Sequence, residues 1–465
     1  MNKTLLRVLF LGRGTSVLKK FIGPKSFYEQ SFRVALPLAM TMLLSSCMSI
    51  VDSLMVSHIG MVTAVGNASQ IMTIHDGVSW GITAGIAIFA SQFFGSKNHD
   101  NMTRTLGLSF ILTLANAFLW LGICLFKGRE LLLFYLDDAS LVEYSLKYLN
   151  VAIFSTIPFA LNNSLSVLYK ATHNTKLTFY FSLAGAILNV IFNSVFIFYF
   201  NVGVVGAAYG TLLSQCVVFL CYVYHSIKYR PFFLEDVSLL LDLKFSFIKP
   251  IVSKILPLII NETLFSFGAT LFVKAYGLLG TTSMDAYYVA NQVYNLFVFI
   301  VWGYGGAVSI LIGTRLGAGQ IKEAIEESRY QLALALVIGL VMVTSMLLTK
   351  GIILDLYNVN DVWTYKVADA LLWVMALKAI IRMFTYVIFS TLRAGGDAKI
   401  LNFLDSGITY IVGIPLAFIA VYGGIEDIVL VLLICQFEQV VRLILSLRRY
   451  KSNIWAQDLT KSVEV

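Results

Sequence analysis

The sequence predicts an all-α polytopic membrane protein, with twelve transmembrane helices in two pseudo-symmetric six-helix bundles. Three observations predict it. Hydrophobic residues make up 58% of the 465 and charged residues only 13%, against roughly 45–50% and 25% in soluble globular domains. Apolar stretches long enough to cross a bilayer recur along the whole chain. Basic residues gather in alternate connections between those stretches. This composition excludes a water-soluble enzyme, a disordered tail and a nucleic-acid binder. The net charge of +8 instead belongs to loops that hold a membrane chain in orientation.

A spanning helix needs about 20 mostly apolar residues. Such stretches fall at roughly 33–56, 66–94, 105–126, 141–168, 177–200, 204–227, 250–275, 285–312, 328–349, 364–392, 400–422 and 425–447. Residues 1–32 precede them and carry Lys3, Arg7, Arg13, Lys19, Lys20 and Lys25. Their apolar run, Leu5 to Leu11, is short, is broken by Arg7 and has no small-residue cleavage site after it, so a retained cytoplasmic tail is expected. Residues 33–227 form the first lobe, 228–249 a basic linker, 250–447 the second lobe and 448–465 a second cytoplasmic tail. The five cysteines (Cys47, Cys124, Cys216, Cys221 and Cys435) lie in apolar stretches without metal-ligand spacing and read as small core side chains.

Loop charges test the span number. Of the 34 Lys and Arg, four lie on the expected outer side (Lys127, Arg129, Lys147, Lys350) and four within spans (Lys274, Lys366, Lys378, Arg382), leaving 26 inside. Outer loops are acidic instead, at Asp137, Asp138, Asp355, Asp361, Glu426 and Asp427. An even span number with both termini cytoplasmic follows from the positive-inside rule. One misplaced helix would invert every later loop.

The halves repeat weakly. Leu36-Pro37-Leu38 returns as Leu256-Pro257-Leu258, and Gly60 as Gly280. Ala68, Gln70, Trp80, Gly81 and Gly95 return as Ala290, Gln292, Trp302, Gly303 and Gly317, and Lys170 as Arg393. Both copies start inside, so they are parallel repeats, an architecture that places a substrate cavity between two bundles.

Four segments carry a family resemblance: ALPLAMTMLLSSCMSIVDSLMVSHIG at the first span, LYKATHNTKLTFYFSLAGAILNVIFNSVFIF after the fourth, VGVVGAAYGTLLSQ at the sixth, and LRAGGDAKILNFLDSGITYIVGIPLAF from the tenth into the eleventh. In this order on a six-plus-six chain, they resemble the MATE family of multidrug and toxic compound extrusion antiporters, from about Ser26 to about Lys451. The resemblance implies export of amphipathic, often cationic compounds, driven by inward movement of sodium ions or protons, across the cell inner (plasma) membrane. It implies no cofactor beyond the coupling ion, no nucleic acid, a membrane-lipid environment and a monomer. A lipid-linked oligosaccharide flippase of related bundle type is the alternative; an intramembrane hydrolase lacks both an H-E-x-x-H helix and a serine elbow.

Ionisable side chains inside spans mark candidate sites, because lipid makes them costly. Asp52 lies about 6 Å from the outer end of its span, Asn193 and Thr211 about 10 Å and Asn189 about 17 Å. Asn189 and Asn193 are four apart and share a helix face. A carboxylate, two amide oxygens and a hydroxyl suit a hard cation such as sodium; a desolvated carboxylate alone can instead take up a proton. The resemblance places Asp52, Asn189, Asn193 and Thr211 on positions that bind the coupling ion in similar transporters, with Tyr148 a fifth candidate. Asn193 departs from the pattern, since many relatives carry Asp there. His75 and Asp76 form a second candidate, as a proton relay or a local polar cluster. Glu262 and Arg382, each about 15 Å deep, with Lys378 one turn from Arg382, form a third, as a cavity lining or an ion pair. Trp80, Trp302, Trp373 and Phe384 offer ring faces to cations, or ordinary packing. Asp405 and Lys274 are charged residues nearer helix ends.

Overall fold

The computed structural model describes residues 21–58, 62–133, 139–356 and 361–463. Gly60, Asp137, Asp138 and the tail residues from Lys3 to Lys20 lie outside the described residues. Twelve helices there are long and apolar enough to cross a membrane: α1 Lys25–Ser57, α2 Ala64–Gly95, α3 His99–Leu133, α4 Leu141–Ala171, α5 Thr175–Tyr199, α6 Val204–Tyr229, α7 Phe245–Gly277, α8 Thr281–Gly317, α9 Ile321–Asp355, α10 Val362–Ala394, α11 Ala398–Tyr422 and α12 Ile428–Lys451. Each matches one predicted stretch, with α12 beginning three residues later than predicted and α5 ending one residue earlier. Most run past it by several residues, because polar end turns keep their hydrogen bonds after hydropathy has fallen.

Burial follows membrane logic. Phe126, Tyr199, Leu348, Ile352 and Ile419 are exposed, while Gln92, Thr105, Ser109, Thr113 and Gln331 are buried. Lipid is as apolar as leucine, so small and polar side chains make the helix contacts. Cys47 is exposed and is not a core side chain as expected, whereas Cys124 and Cys435 are buried.

The chain divides into two compact units. One is Met40–Phe267 with Leu459–Val465; the other is Met1–Ala39 with Gly268–Asp458. The division falls inside α1 and α7.

In the first unit α2 crosses α7 closely. A Cβ on Gly81 would lie 2.6 Å from the Ile259 Cα, and one on Gly85 2.4 Å from Ile255 Cγ1. Hydroxyls join α3 to α4: Ser109 donates to Ser164 at 2.8 Å. The linker is strapped along α3. The Thr103 hydroxyl donates to the Phe233 carbonyl at 3.0 Å, Arg104 bonds Asp242 at 2.6 Å, and Phe232 stacks on Phe94 with ring centroids 5.9 Å apart. The Arg104 guanidinium holds the Asp242 carboxyl below the usual carboxylate range.

In the second unit α8 crosses the start of α1. A Cβ on Gly303 would come within 2.3 Å of the Ala39 Cα. Tyr304 donates to Gln331 at 2.6 Å, and Gln331 donates to Ser31 at 3.1 Å. The C-terminal tail folds back: Trp455 is buried, its indole donates to the Tyr450 carbonyl at 3.1 Å, and Arg449 bonds Asp397 at 2.6 Å.

The backbone exposes the repeat more plainly than the residues do. Left-handed φ values occur at Lys97 (58°) and Gly319 (74°), His173 (61°) and Gly396 (75°), Asn201 (51°) and Gly424 (87°), and Arg230 (40°) and Asn453 (54°). Each pair is 222 or 223 residues apart. The close crossings pair in the same way. Gly81 with Ile259 corresponds to Gly303 with Ala39: in both, the second helix of one repeat packs on the first helix of the other.

Candidate functional site

Asp52, Asn189, Asn193 and Thr211 meet in one hydrogen-bonded chain within the first unit. The Asn193 amide donates to Asp52 Oδ1 at 2.8 Å and to Asn189 Oδ1 at 3.0 Å. The Asn189 amide donates to the Thr211 hydroxyl at 3.1 Å, which donates to the Ala207 carbonyl at 3.0 Å. Helical spacing of four places both asparagines on one face of α5. Gly210 makes room on α6, since a Cβ there would lie 2.0 Å from Asn193 Oδ1. Directly after Asn193 and Ser194, α5 widens into a π turn over Val195–Tyr199, a distortion often found at functional sites. Asn193 is buried and its Oδ1 has no hydrogen-bond partner. Asp52 is half-buried. The Tyr148 hydroxyl bonds the Ser69 side chain and lies near enough to feel the Asp52 charge; its ring packs against the cluster of Val56, Ile197 and Ala207.

This donor set fits a hard cation in composition. In the orientation present, the Asn193 NH2 group already occupies the two oxygens that such an ion would use. A 180° rotation of the amide would aim its oxygen at Asp52 and Asn189, placing three oxygens around one point. The same side chain can therefore satisfy a bare carboxylate or help hold a cation, and Asp52, Asn189 and Asn193 are the residues that would hold sodium.

His75 and Asp76 also meet, on α2. His75 Nδ1 lies 2.9 Å from Asp76 Oδ1. His75 is buried while Asp76 is half-exposed. Asn116 on α3 donates to the His75 carbonyl at 3.2 Å and to the Ser79 hydroxyl at 2.9 Å, fixing the turn that carries the pair. This places an imidazole–carboxylate pair beside a half-open face of α2.

The second unit holds a buried charge network. Arg382 on α10 has Asp405 on α11 at 3.7 Å. Arg442 on α12 reaches the same carboxylate at 3.4 Å, bonds Glu438 one turn earlier, and donates to the Thr409 hydroxyl at 2.6 Å. Arg382, Asp405, Glu438 and Arg442 are all buried. Two successive π turns, Phe403–Gly407 and Thr409–Gly413, carry Asp405 and Thr409. Glu262 belongs to the other unit and is half-buried.

The profile of the family described as MatE matches residues 37–195 and 257–419. The chain belongs to the MatE family. Among relatives, the uncharacterized transporter YisQ of Bacillus subtilis (strain 168) is 28% identical over 459 residues, which cover 92% of this chain and 94% of that one. Multidrug and toxin extrusion protein 1 of Oryctolagus cuniculus is 23% identical, covering 90% of this chain and 74% of that one. A crystal structure of MATE in the straight conformation shares the fold at a TM-score of 0.84 with 18% identity, over 91% of this chain and 96% of that one. An outward-facing multidrug resistance MATE family transporter does so at 0.83 with 18% identity, over 91% and 96%.

The MatE match falls in two segments that begin 220 residues apart, the spacing of the repeat. At that spacing Asp52 has Phe272 as its counterpart, so the second half of this MatE chain has no carboxylate at the matching position. Glu438 and Arg442 are the residues that sequence reading missed. Their signal was a Glu and an Arg four apart inside the last apolar stretch, where each masks the cost of the other. Trp80, Trp302 and Trp373 each leave part of a ring exposed.

Proposed function

We propose that this protein is a cation-coupled antiporter that exports amphipathic, often cationic compounds by alternating access across the cell inner membrane, with lobes at 33–227 and 250–447 and both termini cytoplasmic. The observation that carries the reading is the Asp52–Asn193–Asn189–Thr211 chain. One ionisable carboxylate inside a spanning helix is tied through amides to α5 and α6, so a change in its charge alters the bonds between three helices. Its cationic partners are mutually exclusive: a proton, a sodium ion or a cationic drug can each neutralise Asp52, and exchange follows from that competition.

The proton is the favoured coupling ion. The site has a single carboxylate, and the Asn193 NH2 group stabilises it without a metal. Protonation makes Asp52 neutral, so affinity for a cationic drug falls as pH drops. The test is drug affinity in nanodiscs across pH, with and without sodium, in wild type and Asp52→Asn. The expected result is a pH-dependent loss of affinity that vanishes in Asp52→Asn, together with loss of gradient-driven export in that variant. Sodium competition at constant pH with no pH dependence would make the protein a sodium antiporter. Wild-type export by Asp52→Asn would remove Asp52 from the mechanism.

A further inference from the structure

The exchange of cations proposed at Asp52 gives no role to Lys378. Lys378 lies in the apolar stretch of α10 and is half-buried. Its ammonium sits 5.4 Å from the Tyr294 ring centroid, and among the described residues it makes no ion pair. The buried carboxylates of its own unit are engaged elsewhere: Asp405 lies between Arg382 and Arg442, Glu438 bonds Arg442 and accepts from Thr409 at 3.2 Å, and Glu327 bonds Arg315 at 2.9 Å. One turn along the same face of α10, the Arg382 guanidinium lies 5.6 Å from the Trp302 ring centroid. That ring stands edge-on to Tyr386 at 4.7 Å and is 37% exposed.

Two rings from α8, eight residues apart, thus face two cations from α10, four residues apart. A ring face attracts a cation by about 0.5–2 kcal/mol, which does not replace an anion for an ammonium in a medium of low dielectric. Arg382 has Asp405, but Lys378 makes no ion pair among the described residues; the buried Tyr294 ring backs its ammonium, and the Trp302 ring one turn along is part-exposed.

We propose that this face of α8 and α10 is a subsite for the anionic head of an amphipathic aromatic compound, a carboxylate above all, with Lys378 as counter-ion, the part-exposed Trp302 as ring platform and the buried Tyr294 ring positioning the Lys378 ammonium. The inference deepens the transport reading: the second unit would extend the substrate range to aromatic anions, on residues separate from the Asp52 chain.

The experiment uses full-length protein in nanodiscs of zwitterionic lipid and two fluorescent probes of one shape, 1-pyrenebutyrate and 1-pyrenebutylamine. Wild type is expected to bind both. Lys378→Met should weaken pyrenebutyrate binding tenfold or more and leave pyrenebutylamine binding within twofold, which also reports that the variant is folded. Lys378→Arg should restore the carboxylate. Equal pyrenebutyrate affinity in wild type and Lys378→Met, or no binding to wild type, would overturn the proposal. Nanodiscs containing phosphatidylglycerol separate the sources of the anion: loss of pyrenebutyrate binding there, in wild type alone, would assign Lys378 to a lipid headgroup and overturn the aromatic occupant. Failure of the coupling reading at Asp52 would alter the pH dependence of the amine and leave the carboxylate result unchanged.

Discussion

Replacing Asn193 with Asp tests how the carboxylate site chooses its ion. The Asn193 NH2 group lies 2.8 Å from Asp52 Oδ1 and 3.0 Å from Asn189 Oδ1. Asn193→Asp puts an oxygen where that donor stands, and the two carboxylate charges then lie about 4 Å apart. At an effective dielectric of about 20, their repulsion is about 4 kcal/mol. A cation seated between them relieves it, and 1.4 kcal/mol is worth about a factor of ten in affinity, so sodium binding should tighten by up to about 10³-fold. The third oxygen is already in place, on Asn189. The assay is a sodium titration of thermal stability in detergent at pH 8, where a ligand that binds only the folded state raises the apparent melting temperature with its concentration. Wild type should respond weakly and Asn193→Asp strongly, with Asp52→Asn abolishing the gain in the double variant. Equal sodium responses in wild type and Asn193→Asp would refute the reasoning, since the amide would then not be what withholds the site from sodium.

Gly303→Leu and Gly81→Leu should each destabilise the protein by about 1–3 kcal/mol or more, because a side chain at either position enters the backbone of the helix it crosses; melting in detergent checks this, and a tolerated leucine would mean the crossings are looser than described. Arg442→Met should cost about 3–5 kcal/mol by leaving Glu438 buried and unpaired, while Arg442→Met with Glu438→Leu should recover most of that loss; a single variant as stable as wild type would count against the network. Asp361, outside the spans, caps α10 by accepting from the Thr364 amide at 2.8 Å and its hydroxyl at 2.6 Å, bonds that hold its carboxyl below the usual carboxylate range. Its contribution is therefore present above the unfolded value of about 4 and is lost as pH falls through the lower folded value. Asp361→Ala should lower the melting temperature at pH 7, and the difference should shrink below about pH 4.

Spans are legible because hydropathy integrates over about 20 residues, so no single side chain decides a helix. The site in the first unit is legible for a different reason. Depth along a helix is arithmetic, and Asp52, Asn193 and Thr211 come out at similar depths from their places in the spans alone. The second unit resists because its key geometry is not α-helical. Two π turns in α11 re-aim Asp405 and Thr409 towards Arg442, and a π turn has no sequence period to read. Arg442 itself reads as one of the basic inner residues, since it precedes Arg448, Arg449 and Lys451 on the same helix and resembles the start of a basic inner end. The repeat is half legible. Its turns need left-handed backbone at matched positions, yet Lys97, His173 and Arg230 stand where the second copy has Gly319, Gly396 and Asn453, so residue identity hides a constraint that φ displays.

That contrast between backbone and side chain bears on what the duplication kept. Turn conformations and close glycine crossings recur in both halves, and these are the features that set where helices start, stop and touch. Of the ionisable groups, Lys170 recurs as Arg393, but the carboxylates Asp52, Asp405 and Glu438 do not recur. In the first unit the half-buried Asp52 carboxylate accepts from the neutral Asn193 amide and makes no ion pair among the described residues, so taking up or losing a cation there changes the charge of the site. The second unit locks Asp405 and Glu438 on to Arg442. Neutralising either carboxylate would leave a buried guanidinium short of its anion, which opposes cycling at those residues. Equivalent scaffolds thus carry opposite electrostatics: the Asp52 carboxylate of the first half can change its charge without breaking an ion pair among the described residues, whereas the carboxylates of the second half are held at fixed charge by Arg442.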